Sequence, residues 1–323
     1  MAERGKPTFS IVIPVYNEAG GLRHFHQSLK DVMSKAGLLN KCEIIYCEDG
    51  SIDSSKKVLD DIAKEDDSVK TIIFSRNFGK ESALTAGIAQ ACGQAIITLD
   101  SDEQHPVELI PAFIDKWNKG AKVVIGIRKS TNANWLKRTE SKMFYSIFNR
   151  LSKQKLIPGS TDFRLIDKSV QEAFLSLGES NRITRGLIDW LGFERSFISF
   201  EPKKRNMGSP NYNHSKLVQL AMNSLVSLSP RPLYILGYIG LIITGISFVL
   251  GAIIIIEQIV LGDPLHLRFT GTAMLGILIL FFIGIVLTSQ GVIAIYISHI
   301  HTETKRRPLY VIDKASSKGI AGK

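Results

Sequence analysis

The stretch LDSDEQHP, residues 99–106, sets two carboxylates one residue apart and follows them with an amide and a proline. It closes the run QAIIT, which has the length and residue types of a buried strand. Side chains of an extended chain alternate between faces, so Asp100 and Asp102 project to the same side. Two ionised carboxylates so placed repel each other, and the pair calls for a positive partner between them. A solvated loop capping the next helix would use the same residue types, so the elements around the stretch have to decide.

FSIVIPVY, CEIIYCED, VKTIIFS, QAIITLD and AKVVIGI are short runs rich in β-branched residues, with amphipathic segments near residues 19–36, 53–64, 80–92 and 106–118 between them. Strands alternating with helices predict βαβ units and an α/β fold, a mostly parallel sheet covered by helices on both faces. Acidic and polar residues gather just after the strands, at Asn17 and Glu18, Asp49 to Asp53, Arg76 to Lys80, and Asp100 to Gln104. This is the carboxyl edge of the sheet, where open α/β folds bind ligands. Neither Gly-x-Gly-x-x-Gly nor Gly-Lys-Ser/Thr occurs, which excludes a dinucleotide fingerprint and a P-loop.

The 323 residues suffice for one large domain or two smaller ones, and the net charge of +10 points to an anionic partner: nucleic acid, a membrane surface or a phosphorylated ligand. Cys42, Cys47 and Cys92 lack metal-ligand spacing and are expected as reduced core residues facing a cytoplasm. The start, MAERGKPTFS, has no apolar stretch of the signal-peptide kind.

The C-terminal third is of another kind. Leu233 to Ile256 and Phe269 to Ser298 hold no charged residue, and a bilayer core needs about 20 apolar helical residues, so each run can span it. The twelve residues Glu257 to Arg268 between them carry a net charge of −1, whereas Lys203 to Arg231 holds five Lys/Arg and no acid, and KRR follows at 305–307. The positive-inside rule then predicts a two-helix transmembrane hairpin with the N-terminal domain and the tail both cytoplasmic. The basic flank suits anionic headgroups or a lipid carrying phosphate. RITRGLIDWLGF and NHSKLVQLAMNSLVSLS are amphipathic, and each is expected either at the interface or against the N-terminal domain. Gly271, Gly276, Gly284 and Gly291 allow close helix packing, within the hairpin or in a homo-oligomer.

IVIPVYNEAGGL, EDGSIDSS, SRNFGKESALTAG, LDSDEQHP and STDFRLIDKSV stand in an order and spacing that resembles the family 2 inverting glycosyltransferases. Within that family the chain is similar to polyisoprenyl-phosphate glycosyltransferases, relatives of dolichol-phosphate mannose synthase. It is most similar to the bacterial bactoprenol glucosyltransferase group with a C-terminal two-helix membrane hairpin, over about residues 8–300. The processive synthases of the superfamily carry Gln-x-x-Arg-Trp, which NRITRGLIDW does not match. The resemblance implies a GT-A fold, Rossmann-like, in a catalytic domain over residues 1–202. A basic juxtamembrane segment follows at 203–232, two membrane helices at about 233–256 and 269–298, and a basic cytoplasmic tail at 301–323.

Asp100, Asp102 and the amide oxygen of Gln104 form an all-oxygen set suited to a hard divalent cation, Mg²⁺ or Mn²⁺, bridging the phosphates of a nucleotide-sugar. By resemblance Asp102 is the first metal ligand and Gln104 the next, with Asp100 acting through water or on the ribose. Pro14, Tyr16 and Glu18 are implied to hold the nucleoside and Asp49 to read the base, while Glu48 stands where most relatives have Asp. Lys80 is expected to meet the diphosphate or to lie exposed at a helix start, and Ser51, Asp53 and Asp167 to cap helices.

The acceptor implied is a lipid monophosphate, already close to doubly charged at neutral pH and in little need of a general base. Its repulsion from the donor calls for guanidinium groups, for which Arg128, Arg138 and Arg205 are the candidates, or else residues of a basic membrane-facing surface. Asp162, in STDFRLIDK, is implied to lie in the catalytic centre, positioning the sugar or holding Arg164. The expected reaction moves a hexose, glucose from UDP-glucose, to undecaprenyl or another polyprenyl phosphate at the bacterial plasma membrane. Nucleic acid is not an expected partner, and a flippase is. A lipid hydroxyl as acceptor, or a non-catalytic nucleotide-sugar binder that recruits a flippase, are the alternatives.

Overall fold

The computed structural model describes residues 8–129, 157, 159–179, 182–202, 242, 249, 271–305 and 307–320, with only part of the side chains in 271–305. Arg138, Arg205, nearly all of the first uncharged run and NHSKLVQLAMNSLVSLS lie outside them. The chain divides into two units, one of Met1–Ile147, Gln154–Tyr212 and Arg306–Lys323, the other of Phe148–Lys153 and Asn213–Lys305.

In the first unit, β1 (Phe9–Val15), α1 (Leu22–Lys35), β2 (Cys42–Glu48), α2 (Ser55–Glu65), β3 (Val69–Ile73), α3 (Lys80–Gln90), β4 (Ala95–Thr98), α4 (Ile110–Asn118) and β5 (Val123–Arg128) alternate as the apolar runs predict. β6 (Ser160–Asp167), α5 (Lys168–Ser176), α6 (Thr184–Trp190) and β7 (Arg195–Phe200) follow. One sheet takes the order β3-β2-β1-β4-β6-β5-β7. Neighbours pair in parallel, except that β6 runs antiparallel to both β4 and β5.

Every residue of β1 and β2 is buried, because helices cover both faces of the sheet. Phe9, Ile11, Ile13 and Val15 face one core with Leu22, Phe25, Leu29 and Met33 of α1, Leu59 of α2 and Phe113 of α4. Val12, Ile45 and Cys47 face the other, with Leu84 and Ile88 of α3, Phe174 of α5 and Leu187 of α6. The apolar residues of α1 recur at helical spacing and make one buried stripe. α3 sits closer: a Cβ on Gly87 would collide with Val12 and Cys47, so only glycine lets this helix, which carries Lys80 at its start, lie so near β1 and β2.

Three expectations change. Of the cysteines, Cys42 and Cys47 are buried but Cys92 is exposed, and none of the three is in a disulfide. It follows the end of α3, in the turn that leads to β4, where no layer covers it. RITRGLIDWLGF contributes α6, whose Thr184, Gly186, Leu187 and Ile188 are buried, so its apolar side packs on the sheet rather than on lipid. The paired membrane helices are not established. In the second unit α7 (Gly271–Thr304) is a helix of 34 residues, yet among the described residues no helix is long and apolar enough to cross a membrane.

The C-terminal segment, at 307–320, belongs to the first unit and not to the second. It lies antiparallel along β3, with bridges Thr71–Lys318 and Phe74–Ile312, and so covers an edge strand that would otherwise present open backbone groups.

Candidate active site

Parallel pairing of β1, β2 and β4 brings their carboxyl ends together, and the loops after them are knitted to one another. Asn17 adopts a left-handed φ of 56°, which lets its backbone N–H donate to Ser51 Oγ at 3.0 Å while its Oδ1 accepts from Ile52 N at 3.0 Å. Glu18 N donates to Ser55 Oγ, and Asp53 accepts from Ala19 N and from Ser55 N. Ser51 therefore ties two loops together instead of capping a helix, whereas Asp53 does both. Tyr16, at the rim, is 47% exposed, and an exposed aromatic ring can stack on a base, while Pro14 accepts from Ser101 Oγ through its carbonyl.

Asp49 is buried, and its carboxylate accepts from Phe78 N at 2.6 Å and from Gly79 N at 2.9 Å. Burial pushes its pKa upward, against those two amides. Asp49 thus shapes the β3–α3 loop as well as facing the edge. Gly50 allows this, since at its φ of 64° a side chain would run into the backbone of Arg76 and Asn77. Glu48, where the resemblance leads one to expect Asp, is buried and accepts from Ser51 N, a structural task.

The antiparallel β6 delivers Asp162. Thr98 lies opposite Arg164, and continuing the register by two residues sets Asp162 across from Asp100. Lys80, first residue of α3, lies between them, with Nζ 2.6 Å from Asp100 Oδ1 and 2.7 Å from Asp162 Oδ2. Burial opposes the Lys80 charge, but the two carboxylates outweigh it and raise its pKa. Burial likewise opposes the Asp162 charge, and Lys80 and then Arg185 hold its pKa down. Asp162 is therefore a paired anion, suited to positioning and poorly suited to taking a proton.

Arg164 is not held by Asp162. Its guanidinium donates to Asp189 Oδ1 at 2.9 Å, Ser160 Oγ at 2.6 Å and the Thr161 carbonyl at 3.0 Å. Besides Lys80, Asp162 is paired with Arg185, whose Nε lies 3.5 Å from Oδ1. Arg185 escaped the sequence reading because it sits in a short helix, Thr184–Trp190, whose place against β6 no local pattern gives. α6 is pinned there by Glu81, which accepts from Thr184 N at 2.8 Å.

In the DSDEQHP turn Glu103 takes φ 59°, and Asp102 Oδ1 accepts from Gln104 N at 3.1 Å. Gln104 Oε1 is 3.4 Å from Arg128 Nη1 at the end of β5. His105, also unforeseen, is buried, and burial lowers its pKa. Its neutral Nδ1 accepts from Asp100 N at 3.1 Å while the ring stacks on Phe163 at 5.4 Å, which fixes the turn. Among the described residues no group of three or more His, Cys, Asp or Glu is arranged to hold a metal ion. Asp100, Asp102 and Gln104 still offer the oxygens that fit Mg²⁺ or Mn²⁺, which commonly take one or two carboxylates and complete their shell with substrate phosphates.

The model of the family described as glycosyl transferase family 2 matches residues 10–174. A glycosyltransferase of Synechocystis, described as uncharacterized, is 38% identical over 304 residues, 94% of each chain. A bactoprenol glucosyl transferase of Shigella phage SfII is 36% identical over 308 residues, 95% of this chain and 97% of that one. A prophage bactoprenol glucosyl transferase homolog of Escherichia coli K12 is 35% identical over 307 residues, 94% and 98%. Among solved structures, mannosyl-3-phosphoglycerate synthase from Rubrobacter xylanophilus aligns with a TM-score of 0.49 at 14% identity, covering 68% of this chain and 73% of that one. Family model and full-length relatives agree with a GT-A-like sheet whose carboxyl edge gathers these acids: the chain belongs to glycosyl transferase family 2 and is a glycosyltransferase.

Proposed function

We propose that the protein transfers glucose from UDP-glucose to undecaprenyl phosphate or a similar polyprenyl phosphate, with inversion at the anomeric carbon. The observation that carries this is identity of 35–36% over nearly the whole chain to proteins named bactoprenol glucosyl transferases. The site's geometry agrees with it. Tyr16, Pro14, Glu18 and Asp49 line the end of the sheet where a nucleoside would lie, with Lys80 beside the place of its diphosphate. Asp102 and Gln104, with Asp100, would hold Mg²⁺ or Mn²⁺, which stabilises the charge of a leaving diphosphate.

One acceptor phosphate oxygen forms a bond to the anomeric carbon as the bond from that carbon to the UDP oxygen breaks, and UDP leaves with the electron pair. No proton has to be removed from the acceptor, in keeping with an Asp162 already paired to Lys80 and Arg185. Asp162 orients the sugar. Arg128, with Arg138 and Arg205 outside the described residues, binds the lipid phosphate through charge-assisted contacts.

We place the enzyme in the bacterial plasma membrane through the 233–256 and 269–298 hairpin, with the catalytic domain on the cytoplasmic side. The return of residues 307–320 to β3 supports this topology, because segments on either side of the two runs that pack together lie on one side of a bilayer, as an even number of crossings requires. Purified protein incubated with labelled UDP-glucose, Mn²⁺ and polyprenyl phosphate should yield labelled glycolipid and UDP in equal amounts. Label transferred only to a lipid hydroxyl, or none at all, would overturn the assignment.

A further inference from the structure

The C-terminal segment reaches the donor side of the sheet through a chain of specific contacts. Tyr310 stacks on Phe74 with ring centroids 5.1 Å apart and planes 8° from parallel. Phe74 meets the edge of Phe78 at 5.7 Å, and the guanidinium of Arg76 lies 4.0 Å over the Phe78 ring. Phe78 and Gly79 supply the backbone donors on Asp49, and the next residue is Lys80. Backbone bonds fasten the same stretch: Ser75 N to the Val311 carbonyl at 3.0 Å and Asp313 N to the Ile73 carbonyl at 2.8 Å. Ser317 Oγ accepts from Ile73 N at 2.9 Å, and Lys56 Nζ donates to Ser316 Oγ at 2.8 Å.

We propose that residues 310–318 are a positioning strap for the nucleotide-sugar site, with Tyr310 its key residue. The strap holds the loop from Phe74 to Lys80, and that loop sets both the Asp49 carboxylate and the Lys80 ammonium. None of these strap residues touches the donor. They act through Phe74 and the edge of β3. The strap follows α7, which ends at Thr304, in the chain, so donor binding depends on a segment distant in sequence from the rest of the site. Covering an exposed edge needs only backbone pairing. The stack of Tyr310 on Phe74 is what a simple edge cover does not require.

This inference rests on the reading of Asp49 and Lys80 as donor-binding residues, and the test separates the two. UDP binding to the full-length protein is measured by calorimetry, with Mn²⁺ present, for wild type, Tyr310→Ala, Tyr310→Phe and Ser317→Ala. Amide exchange of Phe78 and Gly79 is followed in parallel. Tyr310→Ala should weaken UDP binding and raise KM for UDP-glucose by roughly two- to tenfold, the range open to loss of one aromatic pair. Exchange at Phe78 and Gly79 should quicken, KM for the polyprenyl phosphate should stay, and Tyr310→Phe should restore all three. Ser317→Ala, which leaves the stack intact, should show the same pattern in weaker form and carries the test if Tyr310→Ala fails to fold. Unchanged UDP affinity in the variants, or equal losses for donor and acceptor alongside a lower Tm, overturns the strap alone. A wild type that binds no UDP overturns the donor site and the strap with it.

Discussion

β6 carries two clusters of opposite charge three residues from end to end, and they are built differently. Arg164 and Asp189 are 2% and 6% exposed at their side chains, and the guanidinium spends its donors on Asp189, Ser160 and the Thr161 carbonyl. Lys80 and Asp162 are 43% and 14% exposed, and one ammonium serves two carboxylates at the sheet edge. A saturated, dry pair has a single arrangement and holds α6 on the sheet. An ammonium on a flexible stem, bordering solvent, can turn to an incoming diphosphate. Similar residue types thus build scaffold at one point and working site at the next, and burial makes the difference.

The largest effect is expected at the scaffold. Arg164→Ala strands Asp189 without its partner, and breaking such a pair costs about 3–5 kcal/mol of stability. Thermal unfolding should show it as a clear drop in Tm; a Tm like that of the wild type would dissolve the contrast. Asp102→Ala should do the reverse, with Tm kept and kcat down by roughly 10²–10³, the scale of losing one group that stabilises developing charge. EDTA should inactivate the wild type to a similar degree, and full turnover in EDTA would rule out the metal.

A smaller loss is expected from Lys80→Met. A charge-assisted contact contributes about 1.5–3 kcal/mol, or about 10- to 150-fold at 1.36 kcal/mol per decade, and it should fall on kcat/KM for UDP-glucose. Arg128→Ala should lose a comparable factor for polyprenyl phosphate with UDP affinity kept. If UDP binding weakens instead, the 3.4 Å approach to Gln104 marks Arg128 as a donor residue.

The smallest effect is in pH dependence. Burial would raise the Asp167 carboxyl, but Ser169, Trp117 and Lys122 hold it at about 2, and Asp66, bonded to Ser68 and Lys30, also lies at about 2. Folded values below the unfolded one mean stability that is present above about pH 3.9 and is lost as pH falls toward 2. Asp162, depressed in the same direction, adds to that limb. Asp167→Asn should flatten the acid limb of an unfolding-against-pH series and leave the neutral plateau lower; an acid limb of unaltered slope would contradict the pairing.

Much of the frame was legible. Continuous apolar runs marked β1 to β5, amphipathic spacing marked α1 to α4, and Asp167 was readable as a cap, accepting from Ser169 N at 3.1 Å at the start of α5. β6 and β7 were not, because STDFRLID mixes polar and buried residues and RSFISF alternates on a sheet edge, patterns that a loop also shows. His105 and Arg185 were missed for a related reason. Their meaning lies in Phe163 and Asp162, which are distant in sequence.

By itself the sequence determined the α/β alternation, the acids at the strand ends and the family, because these rest on local periodicity and on the order of short motifs. Only the tertiary structure decided which charges meet. An antiparallel strand inserted between β4 and β5 brings Asp162 to Asp100, and α3, let in close by Gly87, sets Lys80 between them. It decided also that residues 307–320 return to the edge of β3. Pairings across tens or hundreds of residues follow from the packing of whole elements, and no local pattern encodes them.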